Sequence, residues 1–209
     1  MSEQRENILV HACDLFLRDG FEGFSMRKLA RAVGVTAPAL YRYYDSKEEL
    51  LHDILSEAYR RLRHHLYDSL EGATPAERFR MAGEGYLTFA IENPRLYNAI
   101  FVSPHLVGLA EIPDEIAAQG CAVGRFWNDR IRECMDAGLL RRQDPEQVGL
   151  TLWAHAHGMI SLYTRQMLAP GEDLDADVFR SMYKDSVQRL FEGLAVTADD
   201  DDSTAGAAA

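Results

Sequence analysis

The chain has 209 residues, of which 47% are hydrophobic and 26% are charged, a composition typical of a globular protein with one sizeable core or two modest ones. It contains no long uncharged apolar run and no basic segment followed by an apolar core at its N-terminus, which predicts a cytoplasmic protein without a membrane partner. The net charge of −11 excludes a uniformly basic nucleic-acid binder, although an acidic chain can still carry a basic face.

The first three predicted helices form a small N-terminal group. The first covers about residues 3–18 and the second about residues 25–33. Gly34 permits a tight turn because it has no Cβ to disfavour a left-handed backbone, and Thr36 caps the short third helix. Helices joined by a short glycine-containing turn are typical of the helix–turn–helix motif, whose later helix enters the DNA major groove.

The rest of the chain predicts further helices and no sheet. No segment alternates convincingly with a period of two, and Ser46 with Glu49 forms a capping box at the start of a long helix. The predicted helices cover about residues 46–70, from 74 onward, 94–101, 114–137, 145–168 and 175–194, with a loop over 103–113.

The segment from Ser25 to Lys47 is basic although the whole chain is acidic. It holds five lysines and arginines against Asp45 alone, which gives a local net charge of +4 (five minus one). Lysine and arginine side chains neutralise DNA phosphates, so this segment is the expected electrostatic footprint of a DNA-binding surface.

Residues Gly20 to Leu50 read GFEGFSMRKLARAVGVTAPALYRYYDSKEEL. This segment resembles the signature of the tetracycline-repressor (TetR) family: Gly-aromatic, Ser or Thr, Leu-Ala, Gly-Val-Ser/Thr, Leu-Tyr, Tyr-aromatic, Lys and Leu at fixed spacing. The resemblance implies a helical transcription regulator whose N-terminal helix–turn–helix binds DNA.

By position, the resemblance implies DNA contacts for a set of residues around the third helix. Arg27 corresponds to a residue that often reaches a base edge or a phosphate, and Lys47 looks like the phosphate-anchoring lysine at a helix N-terminus. The guanidinium groups of Arg27 and Arg42 suit guanine O6 and N7. The expected set is Arg27, Thr36, Ala37, Pro38, Ala39, Tyr41, Arg42, Tyr43 and Lys47.

Two alanines limit the expected base readout. Ala37 and Ala39 stand where many relatives carry polar base readers, and alanine offers a thymine methyl contact but no hydrogen bond. Direct readout would then depend on Arg27, Thr36 and Arg42, with DNA shape supplying the rest.

The tyrosines and Arg31 have a second interpretation. Tyr41 and Tyr43 are expected to contact DNA but could instead be packing residues. Tyr44 is expected in the core, where the family usually has phenylalanine. Arg31 is interpreted as a solvated charge or, at most, a neighbour of a phosphate.

The resemblance further implies that the remaining chain binds a small-molecule effector and forms a homodimer on a palindromic operator. The predicted fold is all-α, with a three-helix helix–turn–helix DNA-binding domain over residues 1–50 and a ligand-binding and dimerisation bundle over 51–196. Residues 197–209 are acidic and small, which predicts a disordered tail.

Large apolar side chains of the bundle predict an effector that is small and hydrophobic or aromatic. They could line a cavity, or most of them could be ordinary core. The candidate pocket residues are Phe89, Tyr97, Phe101, Phe126, Trp127, Met159 and Tyr163.

The last two long helices are the predicted dimer interface, in which two copies would form a four-helix bundle. Periodicity alone does not separate core from interface among their apolar residues, which are Leu150, Trp153, Ile160, Tyr163, Phe179, Met182, Val187 and Leu190.

Trp153, His157 and Gly158 resemble the Trp-His-Gly element of one TetR C-terminal subgroup. Glycine inside a helix costs about 1 kcal/mol relative to alanine, so close packing of another helix is the expected reason for Gly158. His155 and His157 are two residues apart and point to different faces, so a structural role for His157 is favoured over a shared metal ion.

The predicted function is a transcription regulator, in the usual family mode a repressor released by its effector. The sequence has no nucleophile–base constellation, no phosphate-binding loop and no ligand-spaced Cys/His cluster, so no enzyme, cofactor or metal is expected. The alternatives are an all-α carrier or enzyme, or a TetR-like dimer without ligand control; a carrier would not need the basic segment.

Overall fold

The structure is a computed structural model that describes residues 3–101, 111–168 and 174–196. These residues form nine α-helices and one 3₁₀ helix, and they contain no β-strand apart from a two-residue bridge between Leu140 and Ala195. The α-helices are α1 (Glu3–Gly23), α2 (Met26–Val33), α3 (Ala37–Leu40), α4 (Lys47–Tyr67), α5 (Pro75–Glu92), α6 (Pro94–Phe101), α7 (Asp114–Asp136), α8 (Pro145–Thr164) and α9 (Ala176–Leu194).

The predicted caps of the first helices are confirmed. The Ser25 hydroxyl accepts the Lys28 N–H at 3.3 Å, and the Thr36 hydroxyl accepts the Ala39 N–H at 3.3 Å. Gly34 adopts the left-handed conformation at φ 78° and ends α2. The all-α fold and the N-terminal helix–turn–helix follow from these local signals as predicted.

The capping box of α4 differs in one partner from the predicted arrangement. The Glu49 N–H donates to the Ser46 hydroxyl at 3.0 Å, but the Glu49 carboxylate accepts the N–H of Asp45 at 2.7 Å instead of that of Ser46. The helix ends at Tyr67 and continues as a 3₁₀ helix, Asp68–Glu71, so the predicted end near residue 70 falls in the tighter turn.

Helix α8 was predicted to reach residue 168 but ends at Thr164. The Gln166 N–H donates to the Tyr163 carbonyl at 2.9 Å, and the Met167 N–H donates to the Leu162 carbonyl at 2.9 Å. This is a Schellman arrangement with Gln166 in the left-handed position at φ 55°, where glycine is usual. The prediction missed this helix end because no glycine marks it.

Packing divides the chain into two compact units. The first comprises Met1–His64 and Glu92–Ala122, and the second comprises His65–Ile91 and Val123–Ala209. The predicted functional division at residue 50 remains a prediction. Most of the predicted 103–113 loop and all of the 197–209 tail lie outside the described residues.

Each unit has its own apolar core. Ile8, Leu29, Leu40 and Leu50 are fully buried in the first unit. Phe79, Ile131, Cys134, Met135, Leu140, Val148 and Leu152 form a buried cluster in the second. Across the described ranges, no helix is both long and apolar enough to cross a bilayer.

Candidate DNA-binding surface and cavity

Helix α3 and its flanking residues present four of the nine predicted DNA contacts to solvent. Thr36, Pro38, Tyr41 and Arg42 are exposed, whereas the buried Leu40 holds the short helix on the core. Of the other predicted contacts, Arg27 is exposed, and Ala37, Ala39, Tyr43 and Lys47 are half-buried.

The cations of the basic segment fall into two groups. The Lys28 ammonium is held by the Asp19 carboxylate at 3.2 Å and the Gly23 carbonyl at 2.8 Å. Arg27, Arg31 and Arg42 make no side-chain hydrogen bond or ion pair anywhere in the described part of the chain. Three exposed guanidinium groups are therefore available for an anionic partner.

Asp19 is a fixed anion beside this surface. Hydrogen bonds from Arg18 and from Lys28 lower the pKa of its carboxyl to about 2. At neutral pH, Asp19 is ionised and holds Lys28, so the basic character expected from the sequence depends mainly on the arginines.

Arg5 of α1 forms an ionic joint with α4 and with the segment that follows α3. Its guanidinium donates to the Tyr43 carbonyl at 2.8 Å, to the Glu49 carboxylate at 2.7 Å and to the Asp53 carboxylate at 3.1 Å. It also lies 4.2 Å from the centroid of the Tyr44 ring, and the Tyr44 hydroxyl donates to Asp53 at 2.9 Å. We call these five residues the Arg5 joint.

The electrostatics of the Arg5 joint favour its charged form. Burial opposes ionisation, but hydrogen bonds to Glu49 and Asp53 outweigh it and raise the pKa of Arg5. For Glu49, burial likewise works against the anion, yet Arg5 and the Asp45 N–H lower its pKa. Burial and the neighbouring Asp53 raise the pKa of Tyr44, which stays a neutral hydrogen-bond donor.

Sequence reasoning missed Arg5 altogether. Arg5 lies 38 positions from Tyr43 and 48 from Asp53, and no local pattern connects residues at that separation. Glu49 and Asp53 are four positions apart on one face of a helix, where two like charges repel each other. This pair was the sequence signal that a cation from elsewhere in the chain lies beside them. Tyr44, predicted to lie in the core, is fully buried.

Lys47 lies at the first position of α4. Its ammonium is 5.7 Å from the centroid of the buried Phe24 ring, and burial lowers its pKa. The residue is half-buried and begins the helix, whose N-terminus is the end that favours a phosphate.

The second unit contains a cavity of about 690 Å³, a volume in the range of small-molecule sites. Side chains of α5, α7, α8 and α9 surround it. Its apolar lining consists of Ala76, Phe79, Tyr86, Trp127, Ile131, Leu152, Trp153, Ala156, Tyr183, Val187 and Phe191.

Two sets of polar side chains in the cavity lining are paired with each other. The Trp153 indole N–H donates to the Tyr86 hydroxyl at 3.2 Å. The Glu84 carboxylate binds both Arg80 at 2.7 Å and Lys184 at 3.2 Å. The lining is therefore largely apolar, and the charges of Arg80, Glu84 and Lys184 are paired with one another, which suits a largely apolar occupant.

Of the seven predicted pocket residues, Trp127 lines this cavity and the other six do not. Phe89 and Tyr97 are fully buried. Tyr163 stacks on the Phe179 ring at 4.0 Å, Phe126 packs on Tyr67, Phe101 packs on Tyr97, and Met159 is half-buried. A pocket role for these six residues stays a prediction.

The predicted interface residues of the Trp-His-Gly element lie on α8. Trp153 is 40% exposed and stacks on the His157 ring at 5.2 Å. His157 Nε2 lies 3.4 Å from the Ser161 hydroxyl, and burial together with Arg165 lowers the pKa of His157. His155 instead lies 2.9 Å from the Ser186 hydroxyl, so the two imidazoles have different partners.

Gly158 requires a correction within the single chain. A Cβ at this position would meet nothing within 4 Å. Close packing of another helix of this chain is therefore not the reason for the glycine. A close approach does occur at Gly85 of α5, where a Cβ would lie 2.1 Å from the His65 carbonyl oxygen of α4.

The helix–turn–helix with its unpaired arginines, followed by helices that enclose a cavity, defines the class of helix–turn–helix DNA-binding regulators. Comparison with family models makes the assignment specific. Residues 8–54 match the model for bacterial regulatory proteins of the tetR family, and residues 79–185 match the tetracyclin repressor-like C-terminal domain. The chain belongs to the TetR family and is a DNA-binding transcriptional regulator.

Individual relatives are distant. The HTH-type transcriptional activator FasR of Mycolicibacterium smegmatis is 28% identical over 140 residues, which are 66% of this chain and 62% of FasR. The HTH-type transcriptional regulator RutR of Escherichia coli K12 is 24% identical over 204 residues, which are 93% of this chain and 92% of RutR. The crystal structure of AibR with isovaleryl coenzyme A and operator DNA superposes with a TM-score of 0.68 at 24% identity, covering 91% of this chain and 99% of AibR. At that identity, the AibR match shows the fold.

Proposed function

We propose that this protein is a homodimeric repressor that leaves its operator when a small, largely apolar effector occupies the cavity of the second unit. The observation that carries the proposal is the 690 Å³ cavity with its aromatic and aliphatic lining. The AibR structure supports, by analogy, the combination of a ligand site with DNA binding, because that protein is in complex with both isovaleryl coenzyme A and operator DNA. FasR is named an activator, so the sign of regulation is a measurable part of the proposal.

The proposed DNA contacts are those expected from the sequence, with a sharper division of roles. Arg27 and Arg42 are exposed and unpaired among the described residues, so their guanidinium groups can reach base edges without breaking an ion pair. Thr36, Tyr41, Tyr43 and Lys47 complete the polar contacts. Ala37, Pro38 and Ala39 supply the apolar surface that would face thymine methyl groups.

The proposed dimer interface is the outer face of α8 and α9. Leu150 is 61% exposed and Val178 is 51% exposed, and Trp153 and Met182 are also exposed. Large exposed apolar side chains are a common feature of interaction surfaces when they form one patch. Ile160 and Phe179 are fully buried within their own chain and belong to its core. The open space beside Gly158 would then receive the partner helix.

The proposed coupling from cavity to DNA runs through α5 and α4. The backbone of α5, whose first half lines the cavity, contacts the last turns of α4 at Gly85 and His65. Helix α4 begins at Lys47 beside the DNA-contacting segment. An effector that prefers one position of α5 would shift the DNA-binding equilibrium by its differential affinity for the two states.

The DNA half of the proposal is tested by band shifts with an operator selected in vitro on the full-length protein. The double variant Arg42→Ala, Lys47→Ala should lose about tenfold or more in specific affinity, because a base contact and a phosphate contact are both removed. The control is Arg132→Ala, Arg142→Ala, which removes two exposed cations from the second unit. Equal loss in both variants, or no loss in the first, contradicts the assigned surface.

The effector half is tested by screening metabolites for a shift in thermal stability and for release of the same DNA. Largely apolar compounds should act. A Leu152→Trp variant, which fills part of the cavity, should respond less. A screen in which only strongly charged compounds act contradicts the proposed cavity.

A further inference from the structure

The Arg5 joint connects three parts of the first unit that are separate in sequence. Arg5 belongs to α1, the Tyr43 carbonyl follows the recognition helix α3, and Glu49 and Asp53 lie in the first two turns of α4. One guanidinium therefore ties the end of the recognition helix to the start of the connecting helix.

The Arg5 joint restrains the Arg5 side chain more than an isolated surface ion pair would. The Arg5 side chain is 28% exposed, and the Asp53 side chain is equally 28% exposed. The planar guanidinium is fixed from three sides by hydrogen bonds and from its face by the Tyr44 ring. Because Tyr44 is fully buried and also bonded to Asp53, the ring cannot move without breaking the joint.

The position of Tyr43 gives the joint a consequence for DNA recognition. Tyr43 directly follows Tyr41 and Arg42, two of the proposed DNA contacts, and its carbonyl is held by Arg5. Helix α3 has only four residues and little intrinsic stability, so tertiary contacts must set its orientation.

We infer that Arg5 is a positioning residue for operator recognition: through Tyr43 and the carboxylates of α4, it holds the recognition helix and α4 together as one body without contacting bases itself. Loss of Arg5 should leave the phosphate-binding cations in place but allow the recognition helix to vary its orientation. Specific affinity should then fall more than non-specific affinity, because base contacts require exact placement whereas phosphate contacts do not. The inference deepens the proposed DNA contacts and depends on them.

The test compares Arg5→Met with Arg61→Met in the full-length protein. Arg61 is a matched control in the same unit, with a 30% exposed side chain bonded to Glu57 at 2.9 Å and to Asn93 at 3.1 Å. Binding is measured for the selected operator and for a scrambled duplex over a range of salt concentrations. Arg5→Met should lose about tenfold on the operator and less than about threefold on the scrambled duplex, with an unchanged salt slope.

Hydrogen exchange of the free protein provides a second measurement. Amides of residues 36–46 should exchange faster in Arg5→Met and stay at the wild-type rate in Arg61→Met. Arg5→Lys, which retains a cation near Glu49 and Asp53, should recover part of the specificity.

Three results overturn the inference. The first is that Arg5→Met loses equal affinity for the operator and for the scrambled duplex. The second is a reduced salt slope, which would make Arg5 a phosphate contact. The third is wild-type hydrogen exchange of residues 36–46 in Arg5→Met. If Arg5→Met does not fold, Arg5→Lys replaces it in the test. Wild-type operator specificity and wild-type hydrogen exchange in Arg5→Lys would then overturn the inference. A wrong assignment of the DNA surface can be told apart from a wrong inference about Arg5. In the first case, the Arg42→Ala, Lys47→Ala variant would retain operator binding.

Discussion

The two units use polar groups in opposite ways. In the first, the Arg5 joint satisfies a guanidinium, two carboxylates and a buried tyrosine hydroxyl in one closed network. In the second, three buried nitrogen atoms have no hydrogen-bond partner in the described structure: Nε1 of Trp127, Nε of Arg130 and Nε of Arg141. A closed network specifies one arrangement, whereas the cavity keeps one unpaired donor, the Trp127 Nε1, among the described residues.

The difference matches the tasks proposed for the two units. A DNA-binding surface must be held in a defined shape before it meets its operator. A cavity that biases an equilibrium must instead have states close in free energy, so that a ligand of modest affinity can select between them. Perturbing each unit separately should therefore give different kinds of defect.

Gly85→Ala should produce the largest effect on the second unit. Its Cβ would lie 2.1 Å from the His65 carbonyl oxygen, so α4 and α5 must separate. We expect a loss of about 2–3 kcal/mol in the free energy of unfolding, as for other overpacked sites, together with a weaker effector response. Urea denaturation followed by circular dichroism measures the first.

Gly83→Ala is the control on the same helix. A Cβ there would meet nothing within 4 Å, so the better helix propensity of alanine should stabilise the protein by up to about 1 kcal/mol. If the two alanines behave alike, the close approach of α4 and α5 at Gly85 is wrong.

Asp53→Ala should produce the next largest effect, in the first unit. It removes an acceptor of Arg5 and leaves the buried Tyr44 hydroxyl without its partner. The expected loss is about 1–3 kcal/mol in unfolding free energy, the usual cost of an unsatisfied buried group. Asp129→Ala, which breaks an exposed pair with Arg132, should cost less than about 0.5 kcal/mol. Comparable losses in the two variants would show that the Arg5 joint is no stronger than a surface ion pair.

Acidification should produce the smallest effect. The pKa of Glu49 lies below its ordinary value of 4.5, so its stabilising contribution is complete above pH 4.5 and disappears as the pH falls through the lower folded value. The stability gap between wild type and Glu49→Gln should therefore shrink below pH 4.5. The gap should stay under about 1 kcal/mol, because the carboxylate is partly exposed.

Glu48→Gln provides the comparison, since Glu48 is the exposed neighbour on the same turn. Its stability gap to wild type is measured between pH 7 and pH 3 alongside that of Glu49→Gln. A gap for Glu49→Gln that is constant over the same interval would contradict the electrostatic account of the joint.

Short-range sequence signals predicted most of the helix boundaries. Ser25, Gly34 and Thr36 mark helix boundaries through bonds to residues at most a few positions away, so the sequence predicted them correctly. The same logic failed at Gln166, where a left-handed residue ends α8 without the glycine that usually signals it. A helix end can be predicted from sequence when the residue type that usually forms it is present, and is missed when another residue takes its place.

The sequence by itself determined the all-α class, the order of the helices, the helix–turn–helix and membership of the TetR family, because these depend on residues close together in the chain. Only the tertiary structure decided which arginines are unpaired, that Arg5 closes a joint with Asp53 across 48 positions, and which aromatic side chains enclose the cavity. It also separated the exposed Leu150 from the buried Ile160 on one helix. Burial and pairing depend on neighbours that other helices supply, and no single helix contains that information.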